Sequence, residues 1–428
     1  MKPAQQAVLK DLVLIGGGHS HVAVIKSFGM NPIPGVRLTI IAKDIHTPYS
    51  GMLPGLVAGH YNYDEVHIDL RPLSKFASAR LFHNEAIKIN YKNKTVLCNG
   101  RPPVPFDLLS INIGSTPRID VVPGAENFAT PVKPISRFVD RWDRLLKRII
   151  ENPGSHQIGV VGAGAAGVEL LLAAQFRLQN TLRELGRSSE NLTFHLVSKS
   201  KRILPGFPVS VGERFEHILK KRNVILHKGV EATEIKDGIL LLSDATRLEL
   251  SEVLFVTAAK AETWLGDSGF EVDENGFVKV EDTLQVLNHP EIFAAGDIAH
   301  VINHPRPKAG VFAVRQGTAL GKNLRRVLLN KSPKPFSPQK LVLALVSSGD
   351  KYCVANRGAF TLGGKWLWLW KDWIDRRFIN KFSVLPKMSQ DETLTFDPAL
   401  AKSSTIKEIS NIAMRCGGCG AKVGASVL

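Results

Sequence analysis

The chain has 428 residues, of which 44% are hydrophobic and 22% are charged, the balance of a soluble globular protein with more than one domain. This composition argues against a mainly disordered chain, a collagen and an integral membrane bundle, and four cysteines are too few for a disulfide scaffold. Lysine and arginine number 55 against 39 acidic residues, a net charge of +16, which favours an anionic partner without selecting one.

The start of the chain contains no apolar stretch typical of a secretory signal. With so few cysteines, a reducing compartment is the default, and we expect a cytoplasmic protein. No nucleic-acid-binding motif accompanies the positive charge, so a nucleic-acid partner is not expected.

An apolar strand at 12–15 runs into a glycine turn and then into a segment that can form a helix. Gly16 and Gly18 match the first two glycines of a G-x-G-x-x-G phosphate-binding turn, in which the backbone approaches a pyrophosphate and the helix start supplies free N–H groups. His21 stands where the third glycine belongs. This histidine predicts a locally wider crossing of helix and strand, and a plain glycine turn without a ligand remains the alternative.

A second glycine turn matches G-x-G-x-x-G fully, at Gly162, Gly164 and Gly167. A strand precedes it, a long helix follows, and a second apolar strand at 192–197 completes a βαβ unit. Two such units in one chain predict two dinucleotides, one that stays bound and one that visits.

Further along the chain, an apolar strand at 289–295 ends in Gly296 and Asp297. A carboxylate beside a glycine can accept hydrogen bonds from a polyol, such as the ribityl chain of a flavin. The alternative for Asp297 is an ordinary helix N-cap.

The order of these motifs is similar to that of the two-dinucleotide-binding flavoproteins, the pyridine nucleotide-disulfide oxidoreductase superfamily. It comprises a glycine turn, the segment 112–117 (Asn-Ile-Gly-Ser-Thr-Pro), a second glycine turn and the Ala-Gly-Asp at 295–297. With Gly-Asp-Lys-Tyr at 349–352 and an aromatic tail, the chain most resembles the type II NADH dehydrogenases, over roughly residues 10–385.

The resemblance implies an α/β fold with two Rossmann-like domains, one for FAD and one for NAD(P)H, and a small C-terminal α+β domain. The implied limits are 1–135 with 270–332 for the FAD domain, 136–269 for the NAD(P)H domain and 333–386 for the C-terminal domain. The implied FAD-binding residues are Gly16, Gly17, Gly18, His19, Gly114, Gly296, Asp297, Lys308 and Gly310. Those implied for NAD(P)H are Gly162, Gly164, Gly167, Glu169 and Ser198.

The implied reaction is a hydride transfer from NAD(P)H to flavin, followed by electron transfer to a quinone-like acceptor. Disulfide reductases of the superfamily place two cysteines near the flavin, four residues apart, and this chain has no such pair. Cys98 and Cys353 are solitary, which also disfavours a sulfide:quinone reductase. No side chain is predicted as an obligatory acid or base, and no metal is expected. The flavin would lie against the loop 46–55, where Tyr49 could contribute a hydroxyl, unless that segment is an ordinary surface loop.

The residues that follow the strand 192–197 bear on the choice between NADH and NADPH, which the sequence leaves open. The acid that usually binds the adenosine ribose is replaced there by Ser198, followed by Lys199, Lys201 and Arg202. This basic segment predicts tolerance of, or preference for, NADPH; a solvated basic loop is the alternative.

The segment 365–382 contains four of the six tryptophans, interleaved with lysine and arginine. Such a helix is typical of a membrane interface, and the resemblance to type II dehydrogenases indicates the same peripheral attachment. A core-packing helix or a homodimer helix is the alternative.

The end of the chain introduces a second resemblance. After a polar linker predicted at 387–413, the segment 414–428 contains Gly-Cys-Gly-x-Lys, which resembles the catalytic start of selenide, water dikinase (selenophosphate synthetase). Cys419 and Lys422 match its functional positions, although they would act only in an intact fused kinase. An alternative function therefore remains open, a flavin-dependent reductase that serves selenium metabolism.

Overall fold

The computed structural model describes residues 8–387 except 153 and 258, together with residues 397, 399 and 400. The predicted kinase segment with Cys419 and Lys422, and most of the predicted linker, lie outside these residues. Within the described part of the chain, every helix is too short or too polar to cross a bilayer.

The first part of the chain contains nine strands, four short or medium helices and one 3₁₀ turn. In chain order these are β1 (Lys10–Ile15), α1 (His19–Met30), β2 (Val36–Ala42), β3 (His46–Pro48), the 3₁₀ turn Ser50–Met52, α2 (Leu53–Val57), α3 (Tyr63–Val66), β4 (His67–Asp69), α4 (Leu70–Phe76), β5 (Arg80–His83), β6 (Ala86–Asn90), β7 (Thr95–Cys98), β8 (Arg101–Pro105) and β9 (Leu108–Ile111).

The middle part contains the second βαβ unit and its neighbours. Its elements are β10 (Thr116–Pro117), the 3₁₀ turn Ile119–Val121, α5 (Ala125–Phe128), β11 (Thr130–Pro131), α6 (Ile135–Glu151), β12 (His156–Val161), α7 (Ala165–Glu184), β13 (Leu192–Ser198), α8 (Val209–Lys221), β14 (Val224–Lys228), β15 (Ala232–Lys236), β16 (Ile239–Leu242), β17 (Arg247–Glu249), β18 (Glu252–Phe255), β19 (Ala259–Lys260) and α9 (Trp264–Asp267).

The last part returns to the first domain and then forms the C-terminal unit. Its elements are β20 (Val278–Val280), β21 (Gln285–Val286), β22 (His289–Ala294), the 3₁₀ turn Gly296–Ile298, β23 (Ala299–Val301), α10 (Gly310–Leu328), β24 (Ala344–Ser347), β25 (Cys353–Arg357), β26 (Phe360–Gly364) and α11 (Lys365–Ser383).

Two chain segments build the larger sheet, which has eight strands in the order β23-β20-β21-β22-β9-β1-β2-β5. Strands β22, β9, β1, β2 and β5 run parallel, so their carboxyl ends share one edge. Leu12, Val13 and Leu14 are fully buried, because a central parallel strand is covered on both faces. This edge brings together the turn after β1 and the turn after β22.

The second sheet has five parallel strands in the order β11-β18-β12-β13-β14, with β12 at its centre. Helix α7 connects β12 to β13 in the predicted βαβ unit. Its apolar residues face a separate core that includes Phe138, Phe194 and Phe215. The predicted α/β fold with two Rossmann-like domains is confirmed, while the exact domain limits stay predictions.

The C-terminal unit is an antiparallel sheet, β24-β25-β26, followed by α11. The first strand of this sheet, β24, covers Ala344–Ser347. One face of α11 is buried, through Leu367, Ile379 and Phe382, and packs on the core of the first domain. Helix α11 also contacts β4, which pairs antiparallel with β3 in a separate two-stranded sheet.

Candidate functional site

The first glycine turn lies against the strand β9. The Gly18 amide donates a hydrogen bond to the Asn112 backbone oxygen at 3.2 Å, and a Cβ atom on Gly18 would lie 2.3 Å from the Asn112 side-chain oxygen. That Oδ1 accepts from the amides of Ser20 and His21 at 3.2 and 3.3 Å, and the Asn112 amide group donates to the Ala295 carbonyl. Asn112 therefore connects the turn after β1 to the turn after β22.

His21 stands at the position of the third glycine, and its ring makes two hydrogen bonds. Its Nδ1 lies 2.7 Å from the Gly16 carbonyl oxygen and its Nε2 lies 2.8 Å from Ser110 Oγ. Complete burial lowers the pKa of His21 to about 4, so the ring is neutral and has a single N–H. Since a carbonyl oxygen only accepts, Nδ1 donates to Gly16 and Nε2 accepts from the Ser110 hydroxyl.

His19, the first residue of α1, provides an unused polar atom in this site. Burial lowers the pKa of His19 to about 4, with Asp297 opposing and Lys133 adding to the shift. Among the described residues, its buried Nε2 has no hydrogen-bond partner. The ring centroids of Tyr49 and Phe378 lie 5.5 and 5.9 Å away. A buried nitrogen of this kind needs a partner, and a polar group of a bound cofactor would supply one.

Asp297 lies at the edge of the same site, in the 3₁₀ turn after β22. Its Oδ2 accepts from Lys133 Nζ at 2.8 Å and from Ser115 Oγ at 3.0 Å. Burial alone would raise the pKa of Asp297, but the Lys133 ammonium and the hydrogen bonds bring it below its usual value. Within the described residues, Oδ1 accepts no protein hydrogen bond and so remains for a ligand.

Lys308 and the start of α10 face Asp297. Lys308 Nζ donates to the Ala299 carbonyl at 2.7 Å and lies 3.8 Å from the Phe277 ring centroid. Burial lowers the pKa of Lys308 to about 8, against the opposing effect of nearby carboxylates. Helix α10 begins at Gly310 with no side-chain cap, which leaves its first N–H groups for a ligand.

A cleft lies beside this group and is lined by Asp297, Lys308 and Phe312 among others. Gly114 lies in the connection after β9, at a positive φ of 78°, and nothing would contact a Cβ atom there. The structure thus brings the predicted residues of the first turn together with Asp297, while Gly114 lies in the connection to β10.

The second glycine turn is shaped by one close approach. A Cβ atom on Gly167 would lie 1.8 Å from the Gly162 carbonyl oxygen, so no other residue fits there. Helix α7 starts at Ala165 after Gly164, with no side-chain cap. Thr257 follows β18 beside this turn, and its buried Oγ1 has no partner among the described residues. The uncapped helix and the unused hydroxyl fit a second phosphate-containing ligand.

The two other residues predicted for NAD(P)H have protein partners. Glu169 is buried on α7, where its Oε1 accepts from the backbone amide and the hydroxyl of Ser347 at 2.7 and 2.9 Å. Ser198 Oγ donates to the Ser200 carbonyl at 2.9 Å. Their roles in nucleotide binding stay predictions.

A buried charged cluster that the sequence did not indicate joins α11 to the loop 46–55. Lys371 Nζ donates to Asp375 and, at 2.6 Å, to the Gly51 carbonyl. Tyr49 lies close enough to Asp375 for the two groups to influence each other's pKa. Burial raises the pKa of Cys353 to about 12, and Glu169 adds to the shift, so the thiol is protonated. Among the described residues, no group of three metal-ligating side chains occurs.

The sequence profile of the pyridine nucleotide-disulphide oxidoreductases matches residues 10–317. The chain belongs to this family. In this family member, the matched residues run from the start of β1 into α10, and they include both glycine turns and Asp297.

Individual relatives are more distant. The NADH dehydrogenase-like protein YutJ of Bacillus subtilis is 22% identical over 302 residues, which cover 69% of this oxidoreductase and 79% of YutJ. A type II NADH:quinone oxidoreductase of Staphylococcus aureus is 21% identical over 341 residues, covering 76% of this chain and 85% of that protein.

Solved structures share the fold. NDH2 from Plasmodium falciparum in complex with NADH has a TM-score of 0.74 at 14% identity, covering 89% of this oxidoreductase and all of that chain. The sulfide:quinone oxidoreductase of Aquifex aeolicus has a TM-score of 0.73 at 18% identity, with 87% and 91% covered.

Several residues of this oxidoreductase's site were not predicted from its sequence. They are Asn112 as a connector of two turns, Ser115, Lys133, Thr257, Lys371 and Asp375. Asn112 stands inside a motif that the sequence did indicate, so its position was a usable signal. Lys133 has no such signal, because the Asp297 carboxylate that it binds comes from a distant part of the chain. Thr257 stands outside the motifs that the sequence indicated.

Proposed function

We propose that this protein is an FAD-dependent NAD(P)H oxidoreductase that passes electrons to a quinone-like acceptor. The observation that supports it best is a pair of glycine turns, each of which leads from a parallel strand of its own sheet into a helix. The type II NADH dehydrogenases among its relatives support the same reaction. FAD would supply the chemistry of accepting a hydride and releasing electrons.

The residues of the first turn would bind FAD. The backbone of the glycine turn and the Nε2 of His19 suit a pyrophosphate or a hydroxyl, and Oδ1 of Asp297 suits a ribityl hydroxyl. The start of α10 and Lys308 would place positive charge beside the reduced cofactor. Gly162, Gly164, Gly167 and Thr257 would bind the visiting NAD(P)H.

A dithiol relay plays no part in this proposal. Cys98 and Cys353 are free, buried thiols in separate sheets, and the thiol of Cys353 is protonated at neutral pH. The electrons therefore pass directly to an external acceptor.

The basic segment after β13 would let the enzyme accept NADPH. Ser198 provides no carboxylate for a ribose hydroxyl, and Lys201 lies close to Gly229 in the adjoining turn. Lys199 pairs with Glu231 at 2.8 Å, and Arg202 donates to two backbone carbonyls. Lys201 is thus the cation of this segment that we assign to a 2′-phosphate.

Helix α11 would attach the protein to the surface of a membrane. Its outer side carries an apolar stripe, which we define as Trp366, Leu369, Trp370 and Trp373, with 58, 63, 41 and 55% of these residues exposed. Arg377 continues the stripe one turn later. Tryptophan beside cations suits the headgroup region of anionic lipids. The buried side of the same helix accounts for the core-packing alternative, and a homodimer stays a prediction.

The selenium-related alternative depends on Cys419 and Lys422, outside the described residues, and it stays a prediction from sequence.

Purified protein should show the visible absorption of oxidised flavin, and NADH or NADPH should bleach this absorption in the absence of oxygen. Reoxidation by a soluble quinone completes the test. Colourless protein that added FAD does not reconstitute would contradict the proposed function.

A further inference from the structure

Lys133 forms a closed hydrogen-bonded group with Ser115 and Asp297. Lys133 Nζ lies 2.8 Å from Asp297 Oδ2 and 2.9 Å from Ser115 Oγ, and Ser115 Oγ lies 3.0 Å from the same Oδ2. The ammonium group donates to both oxygens, and the serine hydroxyl donates to the carboxylate. The Lys133 side chain is 34% exposed and that of Asp297 is 14% exposed, so water screens this ion pair only in part.

The members of this group come from different parts of the fold. Lys133 stands between β11, an edge strand of the second sheet, and α6, which packs on the core of that sheet. Asp297 follows β22 of the first sheet, and Ser115 lies in the connection between the two. The ion pair therefore links the end of β22 in the first sheet to the segment that follows β11 in the second sheet, at the FAD site.

The link also fixes the orientation of the carboxylate. Both protein donors bind Oδ2, so the Asp297 side chain cannot rotate without losing two hydrogen bonds. Oδ1 is then presented in one direction, with no protein donor among the described residues. A carboxylate held in this way is a preorganised acceptor for a hydroxyl group, which reduces the ordering cost of ligand binding.

We propose that Lys133 is a positioning residue for FAD: from the segment between β11 and α6, beside the second sheet, it fixes the Asp297 carboxylate, which accepts a hydrogen bond from the cofactor, and keeps it charged. This inference rests on the proposed function and assigns a role to a residue that is remote from both glycine turns. A consequence is that retention of FAD depends on the seating of the second domain on the first.

The charge of Asp297 provides a readout that a purely structural role would not change. The groups that face it are Lys133, Lys308 from the segment before α10, and His19 from α1. His19 is neutral above pH 5, so the two lysines supply the positive charge. Burial favours the protonated acid, and Lys133 is the main group that lowers the pKa of Asp297. Loss of Lys133 should raise the pKa of Asp297. As the pH falls, FAD binding should then be lost at a higher pH than in the wild type.

The test titrates FAD into the full-length apoprotein and follows the flavin fluorescence between about pH 5 and 8. We expect Lys133→Met to weaken FAD binding by about tenfold or more, the loss for a charge-assisted hydrogen bond, with the larger loss at the acidic end. Lys133→Arg should restore most of the affinity and the wild-type pH profile. A Lys133→Met protein with wild-type affinity and pH profile overturns the inference.

A second pair of variants separates this inference from general damage to the fold. In an Asp297→Asn background, residue 297 carries no charge for Lys133 to neutralise. Adding Lys133→Met to this variant should therefore weaken FAD binding by less than about a further threefold. An equal cost in both backgrounds overturns the inference, as does failure of both Lys133→Met proteins to fold. If Lys133→Met unfolds alone and the double variant folds, the pairing is supported. A wild-type protein that does not bind FAD contradicts the proposed function instead.

Discussion

Glu169 and Ser347 join the helix after the second glycine turn to the C-terminal sheet. The backbone amide and the hydroxyl of Ser347 donate to the same carboxylate oxygen, at 2.7 and 2.9 Å. Lys371 lies close enough to influence this carboxyl group electrostatically. Helix α7 is thereby connected to β24, so the C-terminal unit fixes one flank of the helix that follows the second glycine turn.

Glu169→Gln should change how stability depends on pH. Burial raises the pKa of Glu169 above its ordinary value, despite Lys371 and Ser347. The folded protein then keeps the Glu169 proton at a pH where the unfolded chain has lost it. The contribution of Glu169 to the free energy of unfolding therefore falls as the pH rises above the pKa of the unfolded chain. The slope is at most about 1.4 kcal/mol per pH unit. Urea unfolding at about pH 5 and 8 should show the variant gaining on the wild type as pH rises.

The matched control is Glu213→Gln on α8, an exposed carboxylate of the same kind. Its unfolding free energy should follow that of the wild type at both pH values. A Glu169→Gln protein whose difference from the wild type is the same at each pH would contradict the raised pKa.

His21→Gly restores the third glycine of the motif and should nevertheless destabilise the protein. It removes both hydrogen bonds of the ring and leaves the buried hydroxyl of Ser110 without its acceptor. We expect a loss of about 2–4 kcal/mol in the free energy of unfolding, since a cavity also forms. Ser110→Ala, which removes only one of the two bonds, should cost about 1 kcal/mol. If His21→Gly is as stable as the wild type, the glycine motif rather than the hydrogen bonds determines this turn.

His19 and His21 should make the apoprotein sensitive to mild acid. Burial lowers the pKa of each to about 4, below the ordinary 6.5. Between pH 6.5 and 4 the two histidines bind protons in the unfolded chain but not in the folded protein. The free energy of unfolding that is present above pH 6.5 is therefore lost as the pH falls towards 4. Thermal melting of His21→Asn, which keeps a polar group but does not titrate, should fall less steeply over this range. Parallel melting curves for the two proteins would contradict the lowered pKa of His21.

The parts of the site that could be predicted from sequence are those encoded by neighbouring residues. The glycine turn at 162–167 needs only a strand, three glycines and a helix, all within about thirty residues. Lys133 and Asp297 are 164 residues apart, and Lys371 is 320 residues from the Gly51 carbonyl that it binds. Such pairs depend on which strand and helix ends the topology brings together. The fold could therefore be predicted, whereas these long-range contacts could not.

The apolar stripe of α11 should determine binding to lipid. Replacing Trp370 and Trp373 with serine removes exposed aromatic area without touching Trp368, which is buried. We expect flotation with anionic vesicles to fall by about tenfold or more, because each buried indole contributes a few kcal/mol. Phe360→Ser, an exposed aromatic residue on β26 outside the stripe, is the control and should reduce flotation less. Wild-type protein that binds neither anionic nor neutral vesicles would contradict the membrane proposal.

Lys201 should determine the use of NADPH. Replacement by glutamate reverses one charge beside the expected 2′-phosphate, and we expect kcat/KM for NADPH to fall by about tenfold or more while the value for NADH changes less than about threefold. Lys221→Glu at the end of α8 makes the same change in net charge and serves as the control, with both nucleotides affected equally. The rates are those of anaerobic flavin reduction, measured at two salt concentrations, since a specific phosphate contact is less sensitive to salt than long-range attraction. A wild-type enzyme with a strong preference for NADH, and equal losses for both nucleotides in Lys201→Glu, would assign this segment to solvent rather than to a phosphate.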